Sequence, residues 1–378
     1  MLFANNNISI GMLLSIFQLV FPTALGCQQI LNRDQLIALL QPYQFTHTIL
    51  QAEDNELCTI HDWNVSGVRD FTGVFSGFKS TQMEFLDLSN WDVSSAVTMA
   101  DMFHSSTHYT GLGLEHWNVS SVEHFNQMFI DAQHFNGNIS GWDVTSGIHF
   151  KKMFYQTQSF NHSLPWNMSR AQNVNDMFKD SSFDGDVSGM TVVTLQKMFR
   201  HATHFTGRGV ETWNTSSVTN IDHAFESAHA FNGNVTGWSF PELTSASRAF
   251  RHAYAFDGDV TNWGMPRVWN FIATFQNARA FHGTGVHEWT PTSALRLDHC
   301  FSNAKVFNSS IPNITNATHL GHAFNGAEAF TGPMTIPPQV TSLSYTFAGT
   351  KAAGIVIPST VTSLYATFHS AHTSGLNV

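Results

Sequence analysis

At 378 residues, with 33 Phe and 10 Trp but only 12% charged residues, the chain has a large apolar interior to bury and does not belong to the disordered class. Its formal charge of −10, with 17 Lys and Arg scattered and in no run, argues against a nucleic-acid binder, which needs clustered cations.

The N-terminus comes first. Residues 1–26 read as a signal peptide: Ile8 to Phe21 is apolar apart from Ser9, Gly11, Ser15 and Gln18, Pro22 breaks the stretch, and Ala24-Leu25-Gly26 has the small-x-small pattern of a cleavage site. The stretch is too short and too polar for a comfortable membrane span, and no second apolar segment of spanning length occurs downstream. Export to the extracellular space or surface is therefore expected, with no membrane span after signal removal, although no Lys or Arg precedes the apolar stretch and an uncleaved anchor stays open. Cys27, directly after Gly26, also admits lipidation, but Ala24 stands where a lipoprotein box wants Leu.

Residues 27–60 form a capping segment. Asn32 to Leu40 predicts a short helix ended by Pro42, placed to cover the exposed end of the first repeat. Cys27 and Cys58 could pair as a disulfide there, which leaves Cys300 odd.

Residues 61–378 are repetitive. Phe75, Phe103, Phe129, Phe154, Phe178 and Phe199 begin a series of thirteen anchor Phe residues, 21 to 28 apart, that ends at Phe368. Twelve residues before nine of them stands a Trp, from Trp63 and Trp91 to Trp263 and Trp289, and six residues after most stands a second aromatic such as Phe135 or Phe231. Cys300 holds the column just before the anchor, in register with Met102, Met128, Met153, Met177 and Met198, which predicts a buried thiol.

Within one unit the period changes. Trp117-Asn118-Val119 alternates as a short strand does, whereas Val122, Phe125, Met128, Phe129 and Ala132 have the spacing of one or two helical turns. Ser120 with Glu123 has the spacing of a capping box, and Asn136-Gly137-Asn138 marks a tight corner. The expected fold is thus a repeat solenoid, leucine-rich-repeat-like, of α/β coils with a short parallel strand and a short helical turn per ~25-residue repeat. Such a unit cannot bury its own rings, so stacking must do it.

The run Trp117-Asn118-Val119-Ser120-Ser121-Val122, followed by Met128-Phe129, resembles the DUF285 surface repeat, related to BspA-like leucine-rich repeats. Ile336-Pro337-Pro338-Gln339-Val340 and Ile357-Pro358-Ser359-Thr360-Val361, in the last coils at 333–378, resemble the shorter BspA-type unit. The likeness covers roughly residues 60 to 370 and departs at the Trp-less unit around Met190. It implies an exported or surface-displayed scaffold associated with adhesion and protein binding.

Asn-x-Ser/Thr sequons mark candidate N-glycosylation sites at Asn64, Asn118, Asn138, Asn161 and Asn167, and again at Asn214, Asn234, Asn308, Asn313 and Asn316. Five of them (Asn64, Asn118, Asn167, Asn214 and Asn313) come directly after the Trp column and are expected to face solvent. A Trp-Asp-Val-Ser repeat also becomes a sequon whenever Asp drifts to Asn, as Asp92 and Asp143 show by contrast. Asp184-Gly185-Asp186 and Asp257-Gly258-Asp259 are read as turn corners rather than calcium sites, and the 21 His as scattered polar positions rather than metal ligands. Glu115, Glu211 and Glu288 sit in three Gly-x-Gly corners, too far apart to work as a glycosidase pair. A flat Thr array of the ice-binding kind is lacking. No cofactor and no metal are expected. The function expected is a non-catalytic scaffold that binds an extracellular protein or glycan along its side, with end-to-end self-association open at the C-terminal coil. The alternative is a carbohydrate-active solenoid enzyme.

Overall fold

The computed structural model describes residues 29–41, 60–293, 295–311 and 314–372. The signal-peptide reading at 1–26, Cys27, Cys58, Asn313 and most of the capping segment lie outside the described residues.

The expected N-terminal helix is present as α1 (Arg33–Leu40). Asn32 caps it, its side chain accepting from the Gln35 N–H at 3.0 Å. Leu36 and Leu40 are buried, Arg33 donates to the Thr72 carbonyl, and the Ile30 N–H reaches the Asn64 carbonyl at 2.8 Å. The helix therefore lies against the first repeat.

The chain has a repeat fold in which each unit packs on the next. All twelve successive pairs of anchor Phe rings stack, from Phe75–Phe103 at 5.3 Å to Phe347–Phe368 at 5.7 Å. The second aromatic closes against its own anchor, most tightly at Phe129–Phe135, 3.8 Å between ring centres. The Trp residues form a third column, with Trp117–Trp142 at 6.4 Å and Trp142–Trp166 at 6.3 Å. Where one unit lacks its Trp, buried Met190 stands in the place: its N–H bonds back to Val187 as that of Trp213 does to Val210, and the Val187 carbonyl accepts the Trp213 indole N–H at 3.2 Å. Offset-stacked rings and apolar burial together make this continuous core the main source of stability. Cys300 is completely buried among these columns, as its register predicts.

The interior of the unit differs from the strand-plus-helix expectation. Parallel pairing falls mostly five residues before the anchor, as isolated bridges such as Thr98 to His124 to His149, and reaches the residue after the Trp column only at Gln29 to Asn64 and Asn167 to Thr191 among the described residues. Paired strands occur only toward the C-terminus among the described residues. Strands β1 (Leu295–Arg296) and β2 (Ala317–His319) pair in parallel, as do β3 (Met334–Thr335) and β4 (Ile355–Val356).

The expected helical turn is instead a tandem of tight turns. The Met128 N–H bonds back to Phe125 and the Ala132 N–H to Phe129, while the alternate N–H groups of Phe125, Gln127 and Phe129 bond onward to His149, Lys151 and Met153 in the next unit. Half of the amides are thereby unavailable for i to i−4 bonds, so no helix can form. Positive φ marks the residues two before and two after each anchor, as at Gln127 (59°) and Asp131 (54°), the third position of a type II turn. Apolar residues three and four apart serve either geometry, which is why their spacing misleads. The Ser120–Glu123 capping box does not form either. Ser120 Oγ donates to Asn118 Oδ1 at 2.7 Å, and the Glu123 N–H goes to Val97 in the preceding unit.

Candidate functional site

With the interior filled by rings, a partner meets the flanks of the stack or its C-terminal coil, where Val356, Leu364 and Tyr365 are exposed. Each flank is a column of equivalent positions, so the chemistry of a site must be read across units.

The first flank carries most of the sequons, whereas Asn161 and Asn308 fall in the Gly/Asn corner, where their Oδ1 atoms accept the Asp184 and Thr331 N–H groups. All nine described sequon asparagines are exposed. Four of them form the same small turn: at Asn64, Asn118, Asn138 and Asn214 the side-chain Oδ1 accepts both the N–H and the hydroxyl of the Ser two residues on. Asp143 builds an identical turn with Thr145, and those hydrogen bonds hold its carboxyl below the usual range. The Asn-x-Ser pattern therefore has a folding reason of its own. It commits the carbonyl oxygen and leaves the amide nitrogen, the atom that a glycan joins, facing outward. At Asn316 that nitrogen donates to the Thr292 carbonyl at 3.0 Å instead.

The second flank is the Gly/Asn corner. Asn136 Oδ1 accepts the Asn161 N–H, Asn161 Oδ1 accepts the Asp184 N–H, and Asp184 Oδ1 accepts from Thr206. Asn232, Asp257 and His282 continue the same ladder. The Asp pairs of these corners thus have backbone partners, and among the described residues no group of three His, Cys, Asp or Glu side chains is gathered to hold a metal. Glu115, Glu211 and Glu288 are exposed and belong to separate short 3-10 helices (Leu114–His116, Val210–Thr212 and Val286–Glu288). Each helix comes after a left-handed glycine such as Gly113 (φ 90°), where an added Cβ would lie 2.3 Å from the Ser89 nitrogen. The structure does not bring these carboxylates together.

The third flank is the face of tandem turns, and it holds what the sequence did not reveal. Between the fourth and tenth repeats, the positions from five before to two after each anchor collect Lys151, Lys152, Lys179 and Lys197, and beyond them Arg200, Arg248, Arg251 and Arg296. These eight are almost half of the 17 basic residues in the chain, against five of its 27 acidic ones. The face is therefore net positive on a protein that is strongly negative elsewhere.

Asp176, Glu226 and Asp298 lie beneath their cations, while Asp180 is more exposed than Lys179. Glu226, with a side chain only 7% exposed, accepts from Arg200 Nε (3.1 Å), Arg251 Nη1 (3.0 Å) and His223 (2.6 Å), whose own exposures are 20–34%. Burial pushes the Glu226 carboxyl up, but the His223 hydrogen bond and the neighbouring positive charges outweigh it and bring the group to about 2. Arg200 also leans toward Asp176 at 3.8 Å. Of the rings on this face, Tyr155 lies between Lys152 and Lys179, at 5.2 and 4.6 Å, and His299 stacks on His322 at 4.5 Å. No run of basic residues announces the strip. Only the offset of each cation from its anchor Phe could have found it.

Among solved structures, the chain is similar to one in a TLR13–ssRNA13 complex, at 9% identity over 85% of this chain with a TM-score of 0.26, and it spans only 53% of that chain. It is similar also to an internalin, InlF, from Listeria monocytogenes str. 4b F2365, at 10% identity over 76% of this chain and 82% of that one, with a TM-score of 0.20. Likenesses that slight carry no argument about fold or ligand. No curated protein matches the chain. No helix among the described residues is long and apolar enough to cross a membrane. The family model described as "Mycoplasma protein of unknown function, DUF285" matches four times, over residues 46–112, 77–190, 186–289 and 270–371, and the chain accordingly belongs to the DUF285 family.

Proposed function

We propose that the protein is an exported, non-catalytic scaffold, a leucine-rich-repeat-like solenoid of the BspA-related kind, which binds a protein partner along the face of tandem turns. The observation that carries this reading is the separation of the flanks. The sequon asparagines that follow the Trp column, Asn64, Asn118, Asn167 and Asn214, are exposed on one side, and buried Val119 and Val122 divide that column from the turn face, where the cations gather. Glycans on the first side would solubilise a chain short of charge and leave the second open.

The test is glycan mapping by mass spectrometry on protein secreted from eukaryotic cells, combined with a hydroxyl-radical footprint of the bound partner. Occupancy at Asn64, Asn118, Asn138 or Asn214 with protection along the turn face is expected. A footprint centred on an occupied Asn column would refute the assignment of faces. Chain cleavage on a polysaccharide panel would replace the scaffold by the carbohydrate-active alternative.

A further inference from the structure

Resting on that scaffold reading, we infer that the cation strip of the turn face, centred on Lys152, Lys197 and Arg248, binds an extended acidic polypeptide segment that carries a carboxylate at about every third residue.

Three observations lead there. Lys152, Lys197 and Arg248 hold one column, two residues before the anchors of alternate repeats, and they are part of a local excess of eight cations over five carboxylates. None of the three has a carboxylate partner among the described residues, whereas Lys179, Arg200 and Arg251 all do. Between them in the column stand Asp176 and His223, so the pattern along the strip is cation, acid, cation, imidazole, cation. A partner of uniform negative charge would meet Asp176 unfavourably. A partner with spaced carboxylates would not.

The spacing agrees with this. Two repeats advance about 10 Å along the stack, since paired strands lie roughly 4.8 Å apart. A polypeptide in the polyproline II conformation returns the same side outward every three residues, after about 9.3 Å. Tyr155 and Tyr254 offer no platform for a base or a sugar to stack on, because two lysines cover the first, and His229 at 4.6 Å and Arg279 at 4.8 Å the second; Trp269, at the edge of the strip, is the large ring there that stays exposed among the described residues. What points outward is N–H and ammonium. The remainder of the chain, acidic on balance, confines the positive field to this strip and would steer an acidic segment toward it.

The experiment is a fluorescence-anisotropy titration of the full chain with a labelled (Glu-Pro-Pro)6 peptide in low salt. Two variants test the strip: the reversal Lys152→Glu/Lys197→Glu/Arg248→Glu and the milder Lys152→Gln/Lys197→Gln/Arg248→Gln. A control reverses three exposed cations outside it, Arg69→Glu/Lys79→Glu/Lys351→Glu, which gives the same net charge as the first. Saturable binding is expected, weakened at least tenfold by both strip variants, with the folds checked by their melting curves, and changed less than threefold by the control. Three results would overturn the proposal: no peptide binding, equal losses in the strip and control reversals, or tighter binding by heparin than by the peptide at matched charge. None of these would touch the scaffold reading, which fails instead on polysaccharide cleavage.

Discussion

Trp238 donates its indole N–H to the Val210 carbonyl of the preceding repeat at 2.9 Å, whereas Trp263, stacked on it at 6.3 Å and equally buried, has no partner for its own N–H among the described residues. The same ring in the same column is therefore satisfied in one unit and orphaned in the next. A buried donor without an acceptor costs on the order of 1–3 kcal/mol, while a made hydrogen bond contributes about 1 kcal/mol net. Trp238→Phe should accordingly lower stability by about 2–4 kcal/mol more than Trp263→Phe does, since the first loses a bond and the second removes an orphaned donor. The comparison of their urea midpoints measures it, and equal midpoints would contradict it.

The ring columns should behave as a packed core. Phe225 is fully buried, stacked on Phe199 at 5.6 Å and on Phe250 at 5.3 Å. Truncation to Ala leaves a cavity between two neighbours that the repeat spacing holds apart, so Phe225→Ala should cost about 3–5 kcal/mol. A loss below about 1 kcal/mol in chemical unfolding would show that the stack can close around the gap.

Ser105 adopts φ 58°, in the left-handed region that suits glycine. Gly77 occupies the equivalent place in the first repeat and Gly326 in the eleventh, both with positive φ. Ser105→Gly should leave stability unchanged or raise it by up to about 1 kcal/mol, whereas the β-branched Ser105→Val should lower it by about 1–2 kcal/mol. Thermal melts of the pair decide the matter, and the opposite order would refute the backbone argument.

Acid should weaken the protein in two stages. Burial is the main reason that the His201, His252 and His299 imidazoles lie below their ordinary 6.5, so the unfolded chain binds their protons first. Their contribution is complete above pH 6.5 and is lost as pH falls through the lower folded values. Glu226 acts later, between its ordinary 4.5 and about 2, and also in the sense that protonation favours unfolding. Urea midpoints tracked from pH 8 to pH 2 should show both declines, and Glu226→Gln should shrink the lower one, to which Asp92, Asp143, Asp186 and Asp259 also contribute, while leaving the upper. Midpoints that rise toward acid would be incompatible with either titration.

Cys300 is fully buried, and desolvation pushes its thiol well up, opposed only in part by hydrogen bonds from Thr274 and Phe275. Iodoacetamide at pH 8 should leave it untouched in the folded protein and modify it fully in denaturant. Rapid modification without denaturant would mean that the tenth repeat opens readily.

Much of the stack was legible in the chain because stacking imposes a simple demand. A ring that packs on its counterpart one unit away must recur at the same register, and Phe75 to Phe368 and Trp63 to Trp289 do so across corners of different length. The buried thiol came from the same register, and α1 from the run Asn32 to Leu40 ahead of Pro42. The local backbone was not legible. Val122, Phe125, Met128 and Ala132 have a spacing common to a helix and to tandem turns, and the choice rests on amides that bond to a unit about 25 residues away.

The cation strip depends still more on tertiary structure. Lys152, Lys197 and Arg248 are separated by 45 and 51 residues of mostly uncharged chain, and nothing in either interval links them. Residue pattern alone thus determined that this protein is a stack, because apolar rings at a fixed register have nowhere else to go. Which charges became neighbours, and which face they occupy, was decided only when the units were laid on one another, since Coulomb forces act on distance in space and not along the sequence.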